Sequence, residues 1–325
     1  MISVIVPGYN VEATIAACLE ALLDQTVPRE RYEVIYVDDA SADGSVAVVR
    51  RYPDVALIRL DVNQGQANAR NVGLARSHGE IILFTDADCV PARDWIEVML
   101  RPFADSEVAG AKGIYGTRQA SLVARFAQLE YETRYEIMRR QRTIDFIDTY
   151  SAAYRREVLE RHGGFDPSFR IDEDQELSFR LAEAGHKMVF NPEALVYHQH
   201  PATLSRYLRR KYHIGYWKAL VLRRHPDKAV RDSHTPQSLK AQLGLAALAC
   251  LGLALAPLHL ALLWLGLAAL LAFVLTATPF LAFAARRDGQ VAFIALPMLL
   301  LRALALGGGL ARGMLRAAIT WPVSP

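Results

Sequence analysis

Two phosphate-binding signatures are missing from this chain. No Gly-x-Gly-x-x-Gly follows the first strand-like run and no Gly-Lys-Ser/Thr occurs anywhere, which excludes the usual backbone cradles for dinucleotides and nucleoside triphosphates. Cysteine is scarce. Cys18, Cys89 and Cys250 stand far apart, so neither a disulfide framework nor a zinc-ligand spacing is present, consistent with a reducing compartment. No charged segment with an apolar core and cleavage site precedes Ile2-Ser3-Val4-Ile5-Val6, which already reads as a strand, so the first domain is expected to stay in the cytosol. Acids nearly vanish after residue 200. Residues 201–325 hold 15 Lys and Arg against 3 Asp and Glu, a net +12, while residues 1–200 carry a net −9, and the two cancel to an overall +3. A basic half beside a long apolar run fits an anionic membrane face, whereas a nucleic-acid surface would not need the apolar run.

The chain is organised around Ile81-Ile82-Leu83-Phe84-Thr85-Asp86-Ala87-Asp88-Cys89. The apolar start reads as a buried strand, and the two carboxylates fall just past its C-terminal end, where open α/β sheets place ligands. One intervening residue lets Asp86 and Asp88 turn toward a single hard cation, which would in turn hold a diphosphate. Upstream, strand-like runs at residues 2–6, 33–37 and 55–60 alternate with helical patterns. That alternation predicts a mostly parallel sheet covered on both faces. Its carboxyl edge gathers Pro7-Gly8-Tyr9-Asn10, the Asp38 to Ser45 turn, and a helix carrying Arg70. There Tyr9 offers a face to a base, Asp39 an acceptor, and the Arg70 guanidinium a partner for phosphate.

Val4-Ile5-Val6-Pro7-Gly8-Tyr9-Asn10, the Val37 to Ser45 turn, Asn63-Gln64-Gly65 with Ala69-Arg70-Asn71-Val72-Gly73, and Thr85-Asp86-Ala87-Asp88 follow one another in the order and spacing of a known pattern. Over roughly residues 1–205 the chain resembles glycosyltransferase family 2. The resemblance implies an α/β fold of the GT-A type, a Rossmann-like nucleotide-diphospho-sugar transferase domain, with a nucleotide-sugar donor and Mg2+ or Mn2+ as cofactor. On that pattern Pro7, Tyr9 and Asp39 sit at the nucleoside, and Asp86 and Asp88 serve ribose, metal and diphosphate. Asn10, Gly65 and Arg70, in the matched runs, complete the expected donor site.

Residues 116–205 form the expected acceptor half, after a donor half of about 1–115. Ile144 to Tyr154 reads as a strand-like segment whose Asp145, Asp148 and Thr149 can line a sugar pocket. Gly163-Gly164-Phe165-Asp166 makes a tight turn before Asp172-Glu173-Asp174, three acids at a helix start, where the dipole favours ionised groups. The family resemblance maps the acceptor-side carboxylate onto Asp174, with Glu173 beside it. A hydroxyl attacking an anomeric carbon must lose its proton, so such a carboxylate serves as general base in an inverting transfer. An ionised polyprenyl phosphate would need none, and the alternatives are therefore a polyprenyl-phosphate glycosyltransferase or a non-catalytic assembly subunit. By the same analogy His198 closes over the metal or diphosphate as a third metal ligand, beside Asp86 and Asp88.

Residues 206–240 read as a basic, aromatic interfacial segment with Leu208, Tyr212, Tyr216 and Leu220 on one helical face. Processive relatives carry Gln-x-x-Arg-Trp hereabouts. Here Lys211-Tyr212-His213-Ile214-Gly215-Tyr216-Trp217 stands instead, which favours single-sugar addition. In the expected membrane domain, 241–325, residues 241–285 contain no charge, enough for two spans of about 20 residues that break near Pro257-Leu258-His259. Basic residues flank both ends, so both ends are expected in the cytosol. A third apolar stretch, Val291 to Leu310, is followed by Arg312 and Arg316, which disfavour a span by the same bias, and the count stays at two or three. The sequence thus predicts an inner-membrane, multi-pass enzyme with its catalytic domain on the cytoplasmic side, acting on a saccharide or lipid-linked acceptor, with membrane lipid as a partner and no role for nucleic acid.

Overall fold

The computed structural model describes residues 1–320; the last five residues of the expected membrane domain lie outside them. The strands are β1 (Ile2–Gly8), β2 (Tyr32–Asp38), β3 (Val55–Arg59), β4 (Ile81–Phe84), β5 (Cys89–Pro91), β6 (Val108–Gly116), β7 (Ala152–Arg155) and β8 (Lys187–His198). The helices are α1 (Ile15–Leu23), α2 (Ser45–Val49), α3 (Gln66–Arg76), α4 (Trp95–Leu100), α5 (Leu122–Met138), α6 (Arg156–Arg161), α7 (Glu173–Glu183), α8 (Leu204–Arg224), α9 (Gln237–Ala254), α10 (Leu260–Arg287) and α11 (Gly289–Thr320). They form two compact units. The first comprises residues 1–118 and 138–199, the second 119–137 and 200–325.

One eight-stranded sheet in the order β3-β2-β1-β4-β7-β6-β8-β5 runs through the first unit. Strands β1 to β4 are mutually parallel, as the alternating pattern predicts. Beyond β4 the sheet becomes mixed, because β7 runs antiparallel to both β4 and β6. The βα alternation that enforces parallel pairing stops at Phe84, so the later strands are free to add in either sense. Of the strand expected over residues 144–154, only Ala152 onward is extended in the sheet; Thr149–Ser151 is a 3-10 turn. Ile82, Phe84, Ala152, Tyr154, Phe165 and Leu177 share one core, which joins the sheet to the turn before α7. Burying such side chains contributes roughly 1.5–3 kcal/mol each.

Tight backbone approaches set the loops at the carboxyl edge. A side chain at Gly8 would run into the Tyr36 ring, so the end of β1 can lie against β2 only as glycine. Gly65, at φ 89°, opens α3 in a conformation that residues with a Cβ rarely adopt.

Among the described residues, the second unit has helices and no strand. α5, drawn from the middle of the sequence, packs with α8 to α11 around Phe126, Tyr207, Ala246, Phe273, Ala277 and Leu299. The expected acceptor half, 116–205, thus contributes α5 to the helical unit. α9, α10 and α11 are each long and apolar enough to cross a membrane, with the break between α9 and α10 at Ala256–Leu258.

Candidate active site

A cleft of about 230 Å³ at the carboxyl edge of the parallel strands is lined by Pro7, Gly8, Tyr9, Asp39, Asp86 and Asp88, among others. Four loops separated by up to 80 residues in sequence meet there because β2, β1 and β4 are adjacent and parallel. Tyr9 is 49% exposed, leaving its ring free to cover a base. Asp39 is buried, and its two carboxylate oxygens accept the N–H groups of Gln64 and Gly65, each at 2.8 Å. It therefore fixes the entry to α3 as well as lining the cleft. Asn10 is diverted into the scaffold. Its N–H donates to Ser41 Oγ at 2.9 Å and its side-chain oxygen accepts the Ala42 N–H at 2.9 Å, clamping the first loop to the second. Ala69 and Ala87, inside the matched runs, also line the cleft, as do Val11 and Gln66, which the sequence analysis did not single out.

Arg70 departs most from expectation. Rather than facing a phosphate in the cleft, its guanidinium is fully buried and lies between two carboxylates, 2.8 Å from Asp86 Oδ1 and 2.5 Å from Glu173 Oε1. Burial alone would lower its pKa, but the fields of Asp86 and Glu173 more than reverse that. The next residue makes the same connection through the backbone: the Asn71 amide donates to the Phe165 carbonyl at 2.7 Å and accepts the Phe165 N–H at 2.9 Å. Gly164, at φ 67°, has no room for a Cβ beside that amide. Thus the Ala69-Arg70-Asn71 run and the Gly-Gly-Phe-Asp turn form one joint between α3 and the approach to α7.

β5 pairs with β8 so that Cys89 stands opposite His198. This register brings His198 Nε2 to 3.6 Å from Asp88 Oδ2, and the ligand atoms of Asp88, Cys89 and His198 lie within 4.8 Å of one another. Asp86 does not join that cluster, since its Oδ1 is held by Arg70. Cys89 is a poor ligand for a hard ion: burial, then the charges of Asp88 and Asp86, push its thiol well above the ordinary range, so it stays protonated. Asp88 and His198 remain a carboxylate–imidazole pair that could hold Mn2+ or Mg2+. Tyr150 and Tyr115 wall the imidazole, with ring centroids 4.4 and 5.7 Å away. Neither tyrosine stood out in the sequence.

Asp172, at φ 64°, turns the chain into α7, whose first residues are Glu173 and Asp174. Burial, followed by the charges of Glu173, Asp148 and Asp172, raises the Asp174 carboxyl well above the usual carboxylate range. A raised pKa makes a stronger base. Asp148 and Thr149 are buried, and Asp148 pairs with Lys112 and accepts the Tyr115 hydroxyl at 2.7 Å, so it holds one of the rings beside His198 in place.

A mixed α/β sheet with an acidic pair at the end of its central strand and a carboxylate-led helix facing it defines a nucleotide-sugar transferase class of fold, the GT-A type. Residues 3–163 match the family described as Glycosyl transferase family 2, so the chain carries a domain of that family. It is 33% identical over 207 residues to a pre-mycofactocin glycosyltransferase of Mycobacterium tuberculosis, a match that takes in 60% of this chain and 43% of that protein. It is 29% identical over 225 residues to the succinoglycan biosynthesis protein ExoO of Rhizobium meliloti, covering 64% and 63%. This chain therefore spans less than two thirds of either relative. Among solved structures it resembles the mannosyltransferase PcManGT of Pyrobaculum calidifontis in complex with GDP-Man and Mn2+. There the TM-score is 0.61 and the identity 25%, covering 99% of this chain and 88% of that one.

Proposed function

We propose that this protein transfers a sugar from a nucleotide-sugar donor to a hydroxyl of a saccharide or lipid-linked saccharide, with inversion, at the cytoplasmic face of a membrane, in surface-glycan or exopolysaccharide synthesis. One observation carries the reading: Pro7, Tyr9, Asp39, Asp86 and Asp88, expected from sequence to share a donor site, line a single cleft. Asp88 and His198 would hold a divalent cation; when bound, it would stabilise the negative charge gathering on the departing diphosphate. Tyr9 covers the base and Asp39 rigidifies the loop below it. Asp86, oriented by Arg70, faces the ribose and diphosphate. Asp174 takes the proton from the acceptor hydroxyl as it attacks opposite the leaving group. The GDP-Man and Mn2+ bound to PcManGT support the donor and metal classes, and the succinoglycan relative supports the glycan setting.

Purified full-length protein should bind one member of a panel of GDP- and UDP-sugars only with Mn2+ or Mg2+ present. Asp88→Ala should abolish that binding and transfer while leaving the melting temperature within a few degrees. Full activity in Asp88→Ala would refute the metal assignment, and unaltered turnover in Asp174→Asn would move the acceptor to an already ionised phosphate.

A further inference from the structure

α9, α10 and α11 all have the length and composition of a membrane span, yet α11 is attached differently from the other two. Its partner along the C-terminal half is α8, which carries seven Lys and Arg and no acid in 21 residues and cannot lie in hydrocarbon. The two helices meet backbone to backbone. A Cβ at Gly309 would strike the Tyr212 carbonyl, one at Gly313 the Tyr216 carbonyl, and one at Gly215 of α8 the Leu306 carbonyl. Arg312 donates to the Tyr212 hydroxyl at 3.3 Å, and Arg316 donates to that of Tyr216. Tyr212 with Gly309 and Tyr216 with Gly313 advance in step, so the helices run the same way and share one depth.

The N-terminal half of α11 is tethered to the same level. Arg125 of α5 donates to Asp288, just before α11, at 2.7 Å, and five residues further along α5 Glu130 accepts from Arg302 at 2.8 Å. Those two points are about 7.5 Å apart on α5, while Asp288 and Arg302 are about 21 Å apart on α11. A helix descending through a bilayer would carry Arg302 about 21 Å below Asp288. Instead both are fastened to one short stretch of a charged helix, and Arg302 also donates to Gln242, in the second turn of α9. Outward, α11 shows an apolar stripe at Phe293, Leu304 and Leu315, which are 90%, 39% and 67% exposed. Arg312 and Arg316 flank its end, and Ala295, Leu299, Ala303 and Ala317 fill the opposite face.

We propose that α11 lies in the membrane plane, paired with α8 as a basic two-helix platform that docks on anionic lipid headgroups, and that only α9 and α10 cross. A one-sided apolar stripe bordered by arginines is the form of a helix seated at the headgroup boundary. The charge complementarity is one-sided as well, since α8 and α11 together contain no Asp or Glu. The placement also removes the conflict between Arg312, Arg316 and the charge bias of membrane topology.

The test uses full-length protein with Cys250→Ser, in vesicles of phosphatidylcholine with or without phosphatidylglycerol. Phe293→Cys, Leu304→Cys and Leu315→Cys, introduced one at a time at exposed positions while Cys18 and Cys89 stay buried, carry nitroxide labels whose depth is read from oxygen against nickel-chelate accessibility. All three labels are expected at one shallow depth, within a few ångströms. A graded series spreading over about 33 Å would show a spanning helix and overturn the proposal. With phosphatidylglycerol omitted, the Leu315 label is expected to leave the acyl boundary; unchanged immersion there would overturn the assignment of anionic headgroups as the partner.

Discussion

Asp174 and Arg70 show how burial assigns different work to charged groups in one site. Asp174 has a raised pKa because it is desolvated beside Glu173, Asp148 and Asp172. A general base must be ionised to act, so the rate should fall as pH drops through this raised value. The acidic limb of the kcat profile is therefore expected above the ordinary carboxylate value of about 4, and Asp174→Asn should remove it together with most of kcat, while donor affinity measured by calorimetry stays near wild type. Arg70 was expected at a phosphate because an arginine at a helix start near a ligand edge so often binds one. Nothing in its own neighbourhood announced that Glu173, 103 residues away, would claim it. Arg70→Met leaves two carboxylates facing each other in a buried place, and a loss of about 3–5 kcal/mol follows. Chemical denaturation of the purified protein should show it, with Arg70→Lys recovering only part because a single ammonium cannot reproduce the fork.

At the scale of elements, the glycines and acids that dock helices matter more than helix propensity. Gly309→Ala should lower stability by about 1–3 kcal/mol through overpacking against α8, whereas Gly307→Ala, whose nearest neighbour would be 4.0 Å away, should be close to neutral; thermal unfolding in detergent separates the two. Glu130 sits where α5, α8 and α11 meet, 3.0 Å from Lys211 and 2.8 Å from Arg302, and it also accepts the Tyr207 hydroxyl at 2.7 Å. Burial would raise its pKa, but the two cations hold it at about 2. Its folded value thus lies below the unfolded one, so its contribution is complete above about 4.5 and fades as pH falls toward 2. Lys211, by contrast, is lowered to about 8, because burial outweighs its share of Glu130. The two shifts disagree over which partner the pair favours. Arg302 resolves it, since it keeps Glu130 ionised whether or not Lys211 is charged. Glu130→Gln should therefore lower the melting temperature far more than Lys211→Met.

Across the whole molecule, the parallel part of the sheet and the cleft at its edge were legible in the sequence because their motifs are local. A strand, a turn and a helix start each occupy about ten consecutive residues, and parallel pairing then brings them to one edge. The break between α9 and α10 was legible for the same reason, in Pro257-Leu258-His259. What escaped depended on distant pairing: the reversal at β7, the transfer of α5 into the helical unit, the tyrosine wall around His198, and the Arg70 joint. The cation proposed at Asp88 and His198 gives a test on the same scale. Donor at a hundredfold excess over its dissociation constant should add about 2.7 kcal/mol to stability, seen as a rise in melting temperature that a chelator abolishes without lowering the melting point of the ligand-free protein.

The membership of α5 in the helical unit bears on how a soluble fragment can be made. Stopping translation before α9 would discard the guanidinium of Arg302, leaving buried Glu130 with Lys211 and the Tyr207 hydroxyl but without its second close cation, and stripping the groove around Gly215 of its cover. A truncation that also carries Glu130→Gln with Lys211→Met, and a polar residue at Phe126, should stay dispersed where the plain deletion clumps.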